Sequence, residues 1–151
     1  MNQAFKTAHE VSEYLLEKTG RAILRNEVEA ILPYFLVPAE IQTFDGRRIL
    51  RTRADICRLF DAVSAHYHAI GVTDMARHCV EASFTDPKTV VAMHETRLIT
   101  GSLIKRDPFP TLSVLKLDGQ QWKIASCSYA IKDQEEHNSA LMSAGAAFPS
   151  E

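Results

Sequence analysis

The stretch Thr111–Ile131, TLSVLKLDGQQWKIASCSYAI, constrains this chain more than any other. Apolar and polar residues alternate along two arms joined by Asp118-Gly119-Gln120-Gln121, the period of a strand with one buried face. Asp-Gly between two such runs predicts a β-hairpin. Pairing Leu117 with Trp122 sets Leu115 opposite Ile124, Ser113 opposite Ser126 and Thr111 opposite Ser128, all on one face. The apolar end marks that face as inward, with Trp122 in the core. Its polar end, Ser113, Ser126 and Ser128, either lines a pocket or is satisfied by backbone and water. The other face carries Leu112, Val114, Lys116, Ala125, Cys127 and Tyr129. It is too apolar for open water over that width and predicts a dimer interface.

The segments before the hairpin supply helices and more hairpins. Thr7-Ala8-His9-Glu10 has capping-box spacing, and Ala8, Val11, Leu15, Ala22 and Ile23 follow at helical spacing through a weak point at Gly20. Asn26 is read as the cap of a short helix holding Val28, Ile31 and Leu32. Pro33 and Pro38 break the helical pattern; 35–43 is extended, and Asp45-Gly46 turns it back into 47–52. Thr52-Arg53-Ala54-Asp55 repeats the capping box. Behind it Ile56, Leu59, Phe60, Val63, Tyr67 and Ile70 form a nearly continuous stripe that Gly71 ends. Strands follow over 75–84 and 89–100, then a loop over 101–110. Segregated helices and antiparallel strands predict an α+β fold. The expected division is a single domain over 1–132, with a tail over 133–151 that is loose or docked on a partner subunit.

Bulk properties exclude several classes. The chain has 151 residues, 46 % hydrophobic and 24 % charged, with net charge −2, so no global basic field recruits nucleic acid. No apolar run approaches a membrane span, and the N-terminus lacks the layout of a secretory signal. Cys57, Cys79 and Cys127 are odd in number and far apart, which predicts reduced thiols in a cytoplasmic protein rather than a disulfide framework or zinc site.

The order of elements, the segment FLVPAEIQTFDGRR leading into the long helix, and the segment LDGQQWKIA resemble the nuclear-transport-factor-2-like superfamily. The chain is most similar to its SnoaL-like group, over about residues 7–131. The resemblance implies a curved antiparallel sheet of about six strands wrapped around the N-terminal helices and one long middle helix, with a pocket in the mouth of the cone. It implies frequent homodimers through the outer sheet face, here through Leu112, Val114, Cys127 and Tyr129. It also implies a small-molecule ligand and chemistry without metal or organic cofactor. The superfamily spans isomerases, cyclases, dehydratases, epoxide hydrolases and non-catalytic modules, so fold does not decide function.

The middle hairpin carries the sharpest candidate pair. Pairing Thr85 with Lys88 sets Ala82 opposite Val91, Val80 opposite Met93 and His78 opposite Glu95, with Arg97 on the same face. If that face points inward, His78 and Glu95 form a base and its orienter for proton transfer. If a bulge reverses it, Cys79, Glu81, His94 and Thr96 point inward and His94 replaces His78, with Glu81 beside it. The competing reading of His78 and Glu95 is a surface ion pair of little worth.

Tyr14, His66 and Tyr67 are further pocket-lining candidates, each with core or boundary packing as the alternative. His68 points to solvent, so His66 and His68 are not a metal pair. Asp107 and Phe109, in the loop before the last hairpin, are a candidate base and lid. Arg47, Arg48, Arg51, Arg53 and Arg58 are read as the solvated outer face of an edge hairpin.

Overall fold

The computed structural model describes residues 5–101, 103–104, 108–129 and 141. Helix α1 spans Ala8–Leu24, and its capping box forms: Glu10 N–H donates to Thr7 Oγ1, while Thr7 N–H donates to the Glu10 carboxylate. The helix passes through Gly20 and ends at Asn26, which takes a positive φ of 56°. Asn26 N–H donates to Ile23 O and Glu27 N–H to Ala22 O, the paired bonds of a left-handed helix stop. Asn26 therefore closes the first helix rather than capping the next. The following Val28–Tyr34 segment is a 3-10 turn with Pro33 inside it.

Strands β1 (Phe35–Thr43) and β2 (Gly46–Leu50) form the first hairpin. Helix α2 (Arg53–Ala69) is capped by the expected Thr52/Asp55 box and stopped at Gly71, φ 80°, where Val72 N–H donates to Tyr67 O. Strands β3 (Asp74–Asp86) and β4 (Thr89–Thr100) form the second hairpin. The two-residue strand β5 (Leu103–Ile104) pairs with β4, and β6 (Phe109–Asp118) and β7 (Gln121–Tyr129) form the third hairpin. The sheet order is β2-β1-β7-β6-β4-β3. All pairs are antiparallel except β1 with β7, which run parallel; a hairpin pattern alone does not disclose that contact.

Both helices pack against the sheet, α1 chiefly on β3, and the core fills the space between. Val11, Leu15 and Ile23 of α1 and Ile56, Leu59, Phe60 and Val63 of α2 are buried with Ile41, Leu50, Val90, Leu98, Leu115, Trp122 and Ile124 of the sheet. Ser64 Oγ donates to Ile23 O at 2.9 Å, tying the two helices together.

Three bulges set which side chains face this core. Val80 and Thr85 are extra residues in β3, and Ala125 is extra in β7. Each bulge bends the strand, strengthens its twist and reverses its alternation. No helix among the described residues is long and apolar enough to cross a membrane.

Candidate functional site

The inner face of β4 is the even-numbered set. Val90, Ala92, His94, Thr96 and Leu98 are buried, while Met93, Glu95 and Arg97 point outward. Val90-Val91-Ala92-Met93 is apolar on both faces, so alternation near the turn does not choose a side. The choice is visible further along, where the charges fall only on the odd positions.

His78 and Glu95 do pair across β3 and β4, with 3.7 Å between His78 Nε2 and Glu95 Oε1. They lie on the outer face, half exposed, with Arg97 Nη2 at 3.5 Å from the same carboxylate. This corrects their inward placement: a cross-strand pair in solvent contributes little and faces no cavity. His94 is the histidine that points in, at 4 % exposure. Glu81 does not accompany it. The Val80 bulge separates Glu81 from Cys79 and turns it outward, opposite Met93.

The β6–β7 hairpin has the expected Leu117/Trp122 and Leu115/Ile124 pairs. Beyond them the Ala125 bulge shifts the register: Ser113 faces Cys127 and Thr111 faces Tyr129. Cys127 and Tyr129 therefore turn inward, and Ser126 and Ser128 outward, the reverse of the regular alternation. Leu112 and Val114 keep their outward places. The structure thus corrects the assignment of Ser126 and Ser128 to the pocket and of Cys127 and Tyr129 to the outer face.

These reversals assemble a polar row across four strands. Cys79 of β3 neighbours His94 of β4, His94 neighbours Thr111 of β6, and Thr111 neighbours Tyr129 of β7. Beside this row Arg77 neighbours Thr96. In the next row Ser113 Oγ lies 3.6 Å from Cys127 Sγ. Among these, Thr111 Oγ1 is buried with no hydrogen-bond partner among the described residues. A row of hydroxyls, thiol, phenol, imidazole and guanidinium inside an otherwise apolar core is costly unless it serves a ligand or water.

Arg77 crosses from the sheet to α1. Its Nη1 donates to Thr19 Oγ1 at 3.0 Å and to Leu16 O at 3.4 Å. Gly20 leaves room there, because a Cβ at that position would stand 3.4 Å from Arg77 Nη1. The side chain as a whole keeps some solvent contact while its charged end is enclosed, so burial lowers its pKa.

Arg77, His94, Thr96, Tyr67 and Tyr129 surround an interior cavity of about 20 Å³. The remaining wall is apolar: Ile23, Phe60, Val63, Met75, Phe109 and Leu141. That space holds about one water. Burial first, then the charge of Arg77 and of His78, lowers the His94 pKa to about 3, so its imidazole is neutral at ordinary pH. Burial likewise raises the Tyr129 phenol well above its ordinary value and keeps it protonated.

The other sequence candidates fall elsewhere. Tyr67 lines the cavity and Trp122 is core, its ring against Phe84. Tyr14 stands apart, its hydroxyl accepting from Gln121 Nε2 at 3.3 Å near the β6–β7 turn. His66 is partly buried beside the Tyr67 ring but is not part of the cavity wall. Asp107 lies outside the described residues, as does the tail except Leu141, which is 2 % exposed in the cavity wall of its own chain. Phe109 is buried in that wall rather than covering it from outside. Arg48 is also a correction: it is buried opposite Ile41, not solvated.

The residues that sequence reasoning missed are Arg77 and Leu141. An arginine in a strand reads as surface, and only its spacing of two from Cys79 hinted at an inner position. Among the described residues no cluster of three His, Cys, Asp or Glu side chains is placed to hold a metal.

A second concavity, about 350 Å³, lies at the other surface of the sheet. Gln42, Phe44, Met93, Pro110, Leu112 and Ser128 contribute to it, and Phe44, Met93 and Leu112 are exposed hydrophobics.

No protein-family model matches the sequence, and no curated protein matches it. Solved structures do. A domain of unknown function with a cystatin-like fold from Nostoc punctiforme is 17 % identical, over 95 % of this chain and 90 % of that one, with a TM-score of 0.66. An NTF2-like protein from Novosphingobium aromaticivorans is 16 % identical over 83 % and 82 %, TM-score 0.64. A ketosteroid isomerase-like protein from Erwinia carotovora atroseptica is 15 % identical over 83 % and 97 %, TM-score 0.63. At these identities the likeness speaks to architecture alone: this chain has the NTF2-like, cystatin-like α+β cone fold.

Proposed function

We propose that this protein takes a small, mainly apolar molecule into the interior of its cone and acts on it by proton transfer through His94. The observation that supports this most is the lining, in which a neutral, buried imidazole stands with Arg77, Thr96 and Tyr129 inside apolar walls; a molecule larger than water enters as the Leu141 side chain gives way. A neutral imidazole accepts a proton, and a protonated phenol donates to a developing oxyanion. Isomerisation, cyclisation and dehydration are the reactions this pairing suits. With a pKa near 3 the imidazole is a weak base in the empty cavity, so ligand charge or hydrogen bonding must strengthen it for turnover at neutral pH.

The test is ligand-observed NMR with a panel of small cyclic ketones, alcohols and acids, run in heavy water to detect exchange at activated carbons. The expected result is binding and exchange with the wild type, and retained binding without exchange in His94→Gln. Binding that is unchanged in a folded variant with the cavity filled, Thr96→Leu, overturns the interior site.

A second reading, a non-catalytic module that dimerises through the outer sheet face, is favoured by the groove around Phe44, Met93 and Leu112. Its occupant is a second copy of the chain, because the groove is continuous with an apolar sheet face of Val80, Met93 and Leu112 that one subunit leaves exposed.

A further inference from the structure

We propose that the ligand of the interior site is a small organic anion, a monocarboxylate with an apolar body whose charged group docks on Arg77. This rests on the reading of the cavity as the ligand site and names the class of molecule it takes.

Most paired arginines of this protein are answered by a carboxylate at the surface. Arg21 pairs with Glu17 at 3.1 Å, Arg47 with Glu40 at 3.1 Å, Arg97 with Glu95 at 3.5 Å, and Arg58 with Asp55. These stand on the surface, where pairing matters least. Arg77 instead carries its charged end into the interior beside the cavity, and among the described residues no carboxylate pairs with it. Its recorded partners, Thr19 Oγ1 and Leu16 O, are both neutral. The ionisable side chains that line the cavity with it, Tyr67, His94 and Tyr129, carry no negative charge at neutral pH. An enclosed guanidinium with no counter-charge is unfavourable, and supplying an anion relieves it.

The surroundings suit a carboxylate in particular. A guanidinium has five donors in a planar fork, and two neutral contacts leave the rest of that fork open to the two oxygens of a carboxylate. His94, neutral beside it, brings a ring N–H without adding a second positive charge. Thr96 and Tyr129 add hydroxyl donors on the same cavity wall. The Thr111 hydroxyl, which lies between His94 and Tyr129 in the row behind the lining, has no hydrogen-bond partner among the described residues. Each of these groups can donate, and among the described residues no carboxylate lines the cavity.

The opposite wall decides the rest of the molecule. Ile23, Phe60, Val63 and Phe109 present only hydrocarbon. The void of about 20 Å³ is too small for an organic acid, so the apolar body takes the space now filled by the Leu141 side chain. Leu141 is the wall member contributed from furthest along the chain, and its side chain is buried there.

The experiment titrates the full chain with acetate, butyrate and benzoate, each beside its neutral amide, by calorimetry at constant ionic strength, with inorganic phosphate as a further anion. Benzoate is expected to bind at least tenfold more tightly than benzamide. Arg77→Gln is expected to remove that preference without weakening benzamide, and Leu141→Ala to tighten both severalfold. Where Arg77→Gln fails to fold by circular dichroism, the wild-type and Leu141→Ala comparisons alone decide. Equal affinity for acid and amide, or phosphate binding as tightly as benzoate, overturns the carboxylate assignment and leaves the interior site standing. Absence of binding by every probe to both wild type and Leu141→Ala overturns the interior site and this inference together.

Discussion

His94 couples the site to the stability of the fold. Its imidazole is neutral when folded, with a pKa of about 3, and titrates near 6.5 when unfolded. Between those values the unfolded chain binds a proton that the native chain does not. The stability held by the neutral imidazole is therefore complete above pH 6.5 and declines as pH falls toward 3. Replacing it by His94→Gln removes this dependence and leaves that of the carboxylates. Urea denaturation at pH 7 and pH 5 is expected to show the wild type losing about 2 kcal/mol more than the variant over that interval. Equal losses would mean that the folded histidine titrates normally. The identity of this residue was only half legible. His94 was visible as the alternative to His78, but a run of four apolar residues beside it concealed the inward face. Arg77 was barely legible, its spacing of two from Cys79 being the one hint, because a charge in a strand carries no mark of burial until α1 is laid across it.

At the scale of elements, helix ends and turns were local enough to read. Both capping boxes form from four adjacent residues, and Gly71 and Gly119 take the positive φ their turns require. In α2 Asp55 N–H donates to Thr52 Oγ1 at 3.1 Å, and the Asp55 carboxylate accepts from the N–H of Arg51 and Thr52. Burial works to raise the Asp55 pKa, and these two backbone donors outweigh it, so the group stays ionised at neutral pH. Thr52→Ala is expected to cost about 1 kcal/mol in chemical denaturation, with the helix otherwise intact. A loss near zero would show that Asp55 alone holds this helix end. The bulges were not readable in the same way. Val80 and Ala125 differ in no obvious property from their neighbours, and an extra residue is identified only by the strand it fails to match. Val80 turned Cys79 inward and His78 outward, and Ala125 turned Cys127 and Tyr129 inward and Ser126 and Ser128 outward; His94 lies on the unbroken even-numbered face of β4, which has no bulge.

The molecule as a whole has two concavities of different character, one on each side of the sheet. The concave side holds the polar row and Leu141, and the convex side carries the groove of Phe44, Met93 and Leu112. Pairing of two copies through the convex side is tested by sedimentation: Leu112→Glu is expected to turn a dimer into a monomer without lowering thermal stability of the subunit, since Leu112 is 45 % exposed. A wild type that sediments as a monomer at micromolar concentration excludes that pairing. The sequence by itself determined the order of helices and hairpins, the helix caps, the turns and the α+β class, because each of these follows from contacts a few residues apart or from regular alternation; the cone entered only through the resemblance to the NTF2-like superfamily. Only the tertiary structure decided which face of each strand looks inward, the parallel contact of β1 with β7, and the meeting of Arg77, His94, Tyr129 and Leu141. Those depend on bulges and on packing between segments up to about a hundred residues apart along the chain, where the identity of one residue says nothing about which neighbour it will meet.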